Sequence, residues 1–260
     1  MPQIDSIQRF SSRVGNYVRF RPSYPNQIIH ILEQECGLTH ESVIADIASG
    51  TGIFSRLLLE HGNRVFGIEP NTEMRRAGEE FLRGYPKFTS VNGTAEATTL
   101  PNESMDFVTA AQAAHWFNRD RSMPEFQRIL RPGGYLLLIW NDRKMAGSRF
   151  NEEYERLVET YGTDYTEVKR LGRVVEGSEF FREFECQKRT VANYQDLDYS
   201  AVEGRLLSSS YAPQHDEPSC ALMLADLRRI FDQCQRNGLV RMDYDTNIYF
   251  GKLSRARSLR

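Results

Sequence analysis

Two acids in this chain of 260 residues stand where a ligand would meet them. Asp46 ends a short apolar run and Glu69 ends the next, with a turn of small residues, Ala48-Ser49-Gly50-Thr51-Gly52, between them. A glycine turn leading into a helix usually presents free N–H groups and positive partial charge to a phosphate. A carboxylate beside that turn repels a pyrophosphate and suits a cation. Among common nucleoside cofactors, S-adenosyl-L-methionine carries no phosphate and bears both an ammonium and a sulfonium. The dinucleotide fingerprint is incomplete as well, because Gly50-x-Gly52-x-x-Ser55 lacks the third glycine. Glu69, at the end of the second apolar run, is placed to accept both hydroxyls of a ribose diol.

A second constellation is Gln112-Ala-Ala-His115-Trp116-Phe117. Methyl transfer is an in-line displacement on an already activated carbon, so alignment and exclusion of water do most of the work. A carboxylate acceptor needs no base. A phenol or amine acceptor can use one, and His115 is the natural candidate because its ordinary pKa lies near neutrality. The alternative is that His115 packs or touches substrate. Trp116 offers an aromatic face to a cationic methyl donor. His30, His40, His61 and His215 have no companions at metal-ligand spacing, so no metal is expected.

The elements that must position these groups follow from pattern. VIADI, the small-residue turn and IFSRLLLEHG read as strand, turn and helix. Strands are predicted at 43–46, 64–68, 88–91, 106–110 and 135–140, and helices at 53–61, 72–83 and 122–130, with Asn71 or Thr72 capping the second of these. Arg131-Pro132-Gly133-Gly134 reads as a turn. This alternation gives an α/β, doubly wound, Rossmann-like parallel sheet with helices on both faces. Asp46, Glu69, Glu96 and the residues after Ala110 all fall at the strands' predicted C-terminal ends or just beyond, where such sheets bind ligands.

Before this core, residues 1–41 hold the segment Tyr17–Pro25 and a helix starting near Asn26. After it, residues 143–260 read as a helix at 148–161, a strand at 184–191, helices at 197–208 and 218–237, the last ending at Asn237-Gly238, and a strand at 240–249. The domain reading is therefore 1–41, 42–142 and 143–260.

The motifs ADIASGTG, GIEP, GTAEATTLPNESMDFVTAAQAAHWF and RILRPGGYLLLIW, in that order over Val43–Asn141, resemble the class I S-adenosylmethionine-dependent methyltransferases, in particular the small-molecule type 11 group. The resemblance implies a seven-stranded mixed sheet closed by an antiparallel pair, with a helical cap over the active site. It implies that Asp46, Ala48 and the Gly50–Gly52 backbone hold the methionine portion. Glu69 and Pro70 would lie at the ribose, Ala95 and Glu96 near the adenine, and Gln112 would also touch the cofactor. Ala48 stands where the family most often has a glycine, and Thr94 where an acid often faces the adenine.

The Y-x-x-x-R-P-x-Y-P segment resembles a lid carrying Tyr17, Arg21 and Tyr24, with the Arg21 guanidinium pairing a cofactor or a substrate carboxylate. AHWF with RPSYP is similar to enzymes that esterify small carboxylic acids such as trans-aconitate. On that likeness Arg21 and Arg143 would receive the anion; SSSYAP, Ser208–Pro213, resembles a C-terminal segment of the same group, in which Ser210 and Tyr211 would either line the acceptor pocket or cap a turn. A nicotinamide-dependent oxidoreductase and a non-catalytic binding module share the βαβ unit and stand as the competing classes.

Composition fits an enzyme of this kind: 40% hydrophobic, 26% charged and a net charge of −2, which gives no case for a nucleic-acid partner. The basic RARSLR stretch reads as a solvated tail. Four scattered cysteines suit a reducing, cytoplasmic setting. The first residues lack the apolar core of a signal peptide, and no run is long enough to span a bilayer, so no membrane partner is expected.

Overall fold

Val43–Ile47 forms β1, buried along nearly its whole length because a parallel strand is covered on both faces. The computed structural model describes residues 20–163, 165, 177–209 and 211–253. After helix α1 (Gln27–Cys36) and β1 come α2 (Ile53–Glu60), β2 (Arg64–Ile68), α3 (Thr72–Phe81), β3 (Phe88–Val91) and β4 (Met105–Ala111). The chain continues through α4 (Arg119–Ile129), β5 (Leu130–Arg143), α5 (Arg149–Tyr161), α6 (Gly177–Phe181), β6 (Gln187–Leu197), α7 (Tyr199–Leu207), α8 (Pro218–Cys234) and β7 (Val240–Lys252).

These strands make one seven-stranded sheet in the order β3-β2-β1-β4-β5-β7-β6. The first five are parallel, while β7 runs antiparallel to both β5 and β6. Strand alternation sorts the core onto two faces. Ile44, Phe107, Leu137 and Ile139 pack with Leu32 of α1 and Leu58 of α2. Ala45, Ile47, Val108, Ala110, Leu136 and Leu138 pack with Met123 and Phe126 of α4 and with Phe181 of α6. A third cluster joins α5, α7 and α8 to Val240, Met242 and Tyr244 at the start of β7. The winding reverses between β1 and β4, so a crevice opens beyond their C-terminal ends.

Local chemistry explains the boundaries. Asn71 caps α3, its side chain accepting from the N–H groups of Glu73 and Met74. Gly37, at φ 71°, ends α1. Helix α4 starts at Arg119, three residues before the expected 122, because Asn118 caps it by accepting from Arg121 N–H. RPGG is part of β5 rather than a separate turn, absorbed as an irregularity in its pairing with β4.

The predicted strand at 184–191 lies at 187–197 instead. Phe180 and Phe181, just ahead of the expected strand, sit in α6, packed on the core. β6 is a sheet edge, mostly exposed, and only from Val191 onward do half-buried and exposed residues alternate along it. Asn237-Gly238 is not a helix end. α8 stops at Cys234, and the pair makes a tight turn with both residues at positive φ, bridged by Arg236 and Leu239.

Candidate functional site

The turn after β1 is closed by Gly52 N–H donating to Ser49 O at 2.9 Å. Its backbone enters the left-handed region at Ala48, Gly50 and Gly52, with φ of 52°, 57° and 81°. At Gly52 a Cβ would also lie 2.5 Å from Leu82 Cδ1, so only glycine fits. Ala48 holds that region with a side chain, at a cost of about 1 kcal/mol. Gln112, at the end of β4, does the same at φ 60°. Strained positions of this sort collect at functional sites.

Glu69 reaches back over the turn. Its Oε2 accepts from Gly50 N–H at 2.9 Å and its Oε1 from Asn71 N–H at 2.8 Å. Each carboxylate oxygen keeps a second acceptor position, the arrangement a vicinal diol needs. Burial pushes the Glu69 carboxyl above its ordinary range, against those two N–H bonds, which favour the charged form. Asp46 lies deeper, 1% exposed. Its oxygens accept from Ser55 Oγ at 2.5 Å and Thr109 Oγ1 at 3.0 Å. Burial raises its pKa to about 6, with the nearby Glu69 charge adding to the rise. Asp46 is thus the floor of the crevice rather than its mouth.

The crevice has two halves that share Ala48, Gly50, Ala111 and Gln112. The larger, of about 230 Å³, is lined by Glu69, Pro70, Ala95, Glu96 and Trp116, with Thr94 and Phe117. The smaller, of about 100 Å³, is lined by Asp46, Arg21 and Tyr24 together with Phe54, Asn141 and Arg205. The segment from Phe20 to Tyr24 lies across this smaller half. It is strapped by Asn141 and Asn193 amides donating to Ser23 O and by Gln195 donating to Phe20 O. Tyr24 meets the Phe54 ring edge-on at 5.0 Å.

Four of the sequence candidates do not line the crevice. Gly52 supports the turn from behind, capping α2. Arg143 turns toward α5 and pairs with Glu155 at 2.5 Å, both nearly buried, so its charge is already matched. Tyr211 packs edge-on against Tyr165, ring centroids 4.8 Å apart. His115 sits on the short helical turn Ala114–Trp116 against the Trp116 ring, outside the lining of both halves. Burial holds its pKa down at about 4, so the ring is neutral near pH 7. Tyr17 and Ser210 lie outside the described residues.

Asn71, Met74, Asn141 and Arg205 are among the lining residues that were not singled out from sequence for this role. Asn71 was readable as a cap, and the cap position is what brings it to the crevice. Arg205 lies on α7, three residues ahead of the Ser208–Pro213 segment, and no motif includes it.

Comparison with known proteins agrees with this geometry. The profile of a methyltransferase domain family matches residues 45–138. An uncharacterised methyltransferase of Mycobacterium tuberculosis is 40% identical over 140 residues, 54% of each chain. An uncharacterised methyltransferase-like protein of Schizosaccharomyces pombe is 33% identical over 142 residues, again 54% of each. The chain therefore spans about half the length of the curated relatives it matches.

Among solved structures, a protein assigned as a type II methyltransferase from Anaeromyxobacter dehalogenans shares the fold with a TM-score of 0.67 at 22% identity, over 91% of this chain and all of that one. A phosphoethanolamine N-methyltransferase of Haemonchus contortus, solved with S-adenosyl-L-methionine, aligns with a TM-score of 0.52 at 15% identity, over 95% of this chain and 58% of that one. The segment 45–138 thus matches the profile of the methyltransferase domain family, and the sheet that carries it shares its fold with solved methyltransferase structures.

Proposed function

We propose that this chain is an S-adenosyl-L-methionine-dependent methyltransferase acting on a small-molecule acceptor, with a carboxylate as the favoured acceptor class. The observation that carries the reading is the Glu69 carboxylate folded over Gly50 N–H at the rim of the larger half of the crevice. A donor set of this kind suits a ribose diol and a cationic nucleoside, and a buried acid at Asp46 disfavours a pyrophosphate. The residues present fit the cofactor.

Glu69 would hold the ribose, and Pro70, Ala95 and Glu96 would line the adenosine end, with Trp116 and Phe117 covering it. Ala48, Gly50 and Gln112, shared by both halves, bracket the junction between them. The amino-acid end would enter the smaller half, between Asp46 and the strapped Arg21–Tyr24 segment. When bound, the cofactor supplies a methyl carbon activated by sulfonium. The chain's own contribution is alignment and exclusion of water, the task of a strapped lid over a narrow crevice. No base is assigned, since His115 lies outside the crevice lining and a carboxylate acceptor needs none.

The test is a mass-spectrometric screen of cell metabolites incubated with the protein. A gain of one methylene on an acceptor, strictly dependent on S-adenosyl-L-methionine, is expected. Binding of the cofactor with no methylated product from any extract would favour a non-catalytic binding module instead.

A further inference from the structure

The smaller half of the crevice holds a cation that pairs with no carboxylate among the described residues. Arg205 is 7% exposed and lines that cavity. Its Nη1 donates to Ser209 Oγ at 3.2 Å, while its Nε is buried with no hydrogen-bond partner. Among the described residues no carboxylate pairs with it, and the groups that act on it are the phenols of Tyr244, Tyr154 and Tyr211. Among the described residues the one acid lining the same cavity is Asp46, and its oxygens accept from Ser55 and Thr109 rather than from Arg205.

Arg143 is the internal comparison: it is equally buried, and it has Glu155. A buried arginine without an acid is costly unless something else brings the negative charge. Arg21 lines the same cavity, and its Nη2 donates to Ser208 O at 2.9 Å, on the buried turn that also holds Arg205. One tight turn after α7 thus anchors two guanidinium groups at a single cavity.

We propose that Arg205, together with Arg21, receives a carboxylate in the smaller half of the crevice. The inference rests on the methyltransferase reading above and adds the residue that recognises the anion. A guanidinium fork binds a carboxylate through two parallel N–H bonds. Two sources present that group there: the amino-acid end of the methyl donor, and a carboxylate acceptor beside it.

Isothermal titration of wild type and Arg205→Met separates these sources. The probes are S-adenosylhomocysteine, methylthioadenosine (which lacks the amino-acid end), and tricarballylate added to the S-adenosylhomocysteine-saturated protein. A loss of at least about tenfold for S-adenosylhomocysteine, with methylthioadenosine unchanged, assigns the site to the donor. Unchanged S-adenosylhomocysteine binding with loss of the tricarballylate signal assigns it to the acceptor.

Should the methionine variant fail to fold, Arg205→Lys keeps the buried charge without the fork and is expected to weaken the same probe several-fold. Wild-type affinity for all three probes in the folded variant overturns the proposal. Failure of wild type itself to bind either adenosine compound overturns the methyltransferase reading, and this inference with it.

Discussion

Glu69 and Asp46 were both recognisable as acids at strand ends, yet their environments differ. Glu69 sits at the rim with two N–H bonds and spare acceptor positions, so its loss should fall on ligand binding. Glu69→Gln is expected to weaken S-adenosylhomocysteine binding at least about tenfold, read by calorimetry, with little change in the urea midpoint. Asp46 is a buried acid whose cost appears in stability. Folding raises its pKa from 3.8 to about 6, so the native state favours the protonated form.

Its contribution to stability is therefore fully present below about pH 4 and is lost as pH rises to about 6. The loss amounts to about 3 kcal/mol, from the size of that rise. Asp46→Asn cannot titrate. Wild-type stability measured against this variant by urea unfolding should decline between pH 4 and pH 6 and level off above. A constant difference across the interval would show that the acid is not desolvated.

At the scale of elements, the straps on the N-terminal segment are the testable feature. Asn193, on the edge strand β6, donates to Ser23 O at 2.8 Å and to Asn141 Oδ1 at 3.3 Å, and accepts from Tyr194 N–H at 2.9 Å. Asn193→Ala is expected to speed release of S-adenosylhomocysteine several-fold in stopped flow, while changing global stability by no more than about 0.5 kcal/mol, the usual surface effect. Asn71→Ala removes the cap of α3 and should cost about 1 kcal/mol in chemical unfolding.

The elements that set the larger half of the crevice were legible because buried parallel strands are short apolar runs and their helices carry caps and apolar stripes. β2 and β3 fell where the pattern put them. The C-terminal elements were harder for a physical reason. β6 is an exposed edge, and α6 hides its phenylalanines in a core that belongs to distant strands. Asn237-Gly238 carries the same residues for a helix end as for a tight turn, and only the antiparallel return of β7 decides between them. Arg205 and Arg143 look alike in sequence. Only the packing of α5 gives one of them an acid.

For the whole molecule, one sheet order explains where everything converges. β1 lies between β2 and β4, and the reversal there places residues from the ends of β1, β2, β4 and β5, from the N-terminal strap and from α7 around one crevice. Among the described residues no helix is long and apolar enough to cross a membrane.

A crevice with acids at its rim and floor and two guanidinium groups at one end should discriminate sharply among nucleoside ligands. Calorimetric titration of the intact chain with S-adenosylhomocysteine and, separately, with NADH tests this most directly. Micromolar binding of S-adenosylhomocysteine with no heat from NADH is the expected result, corresponding to about 8 kcal/mol. Binding of NADH with S-adenosylhomocysteine silent would contradict the account.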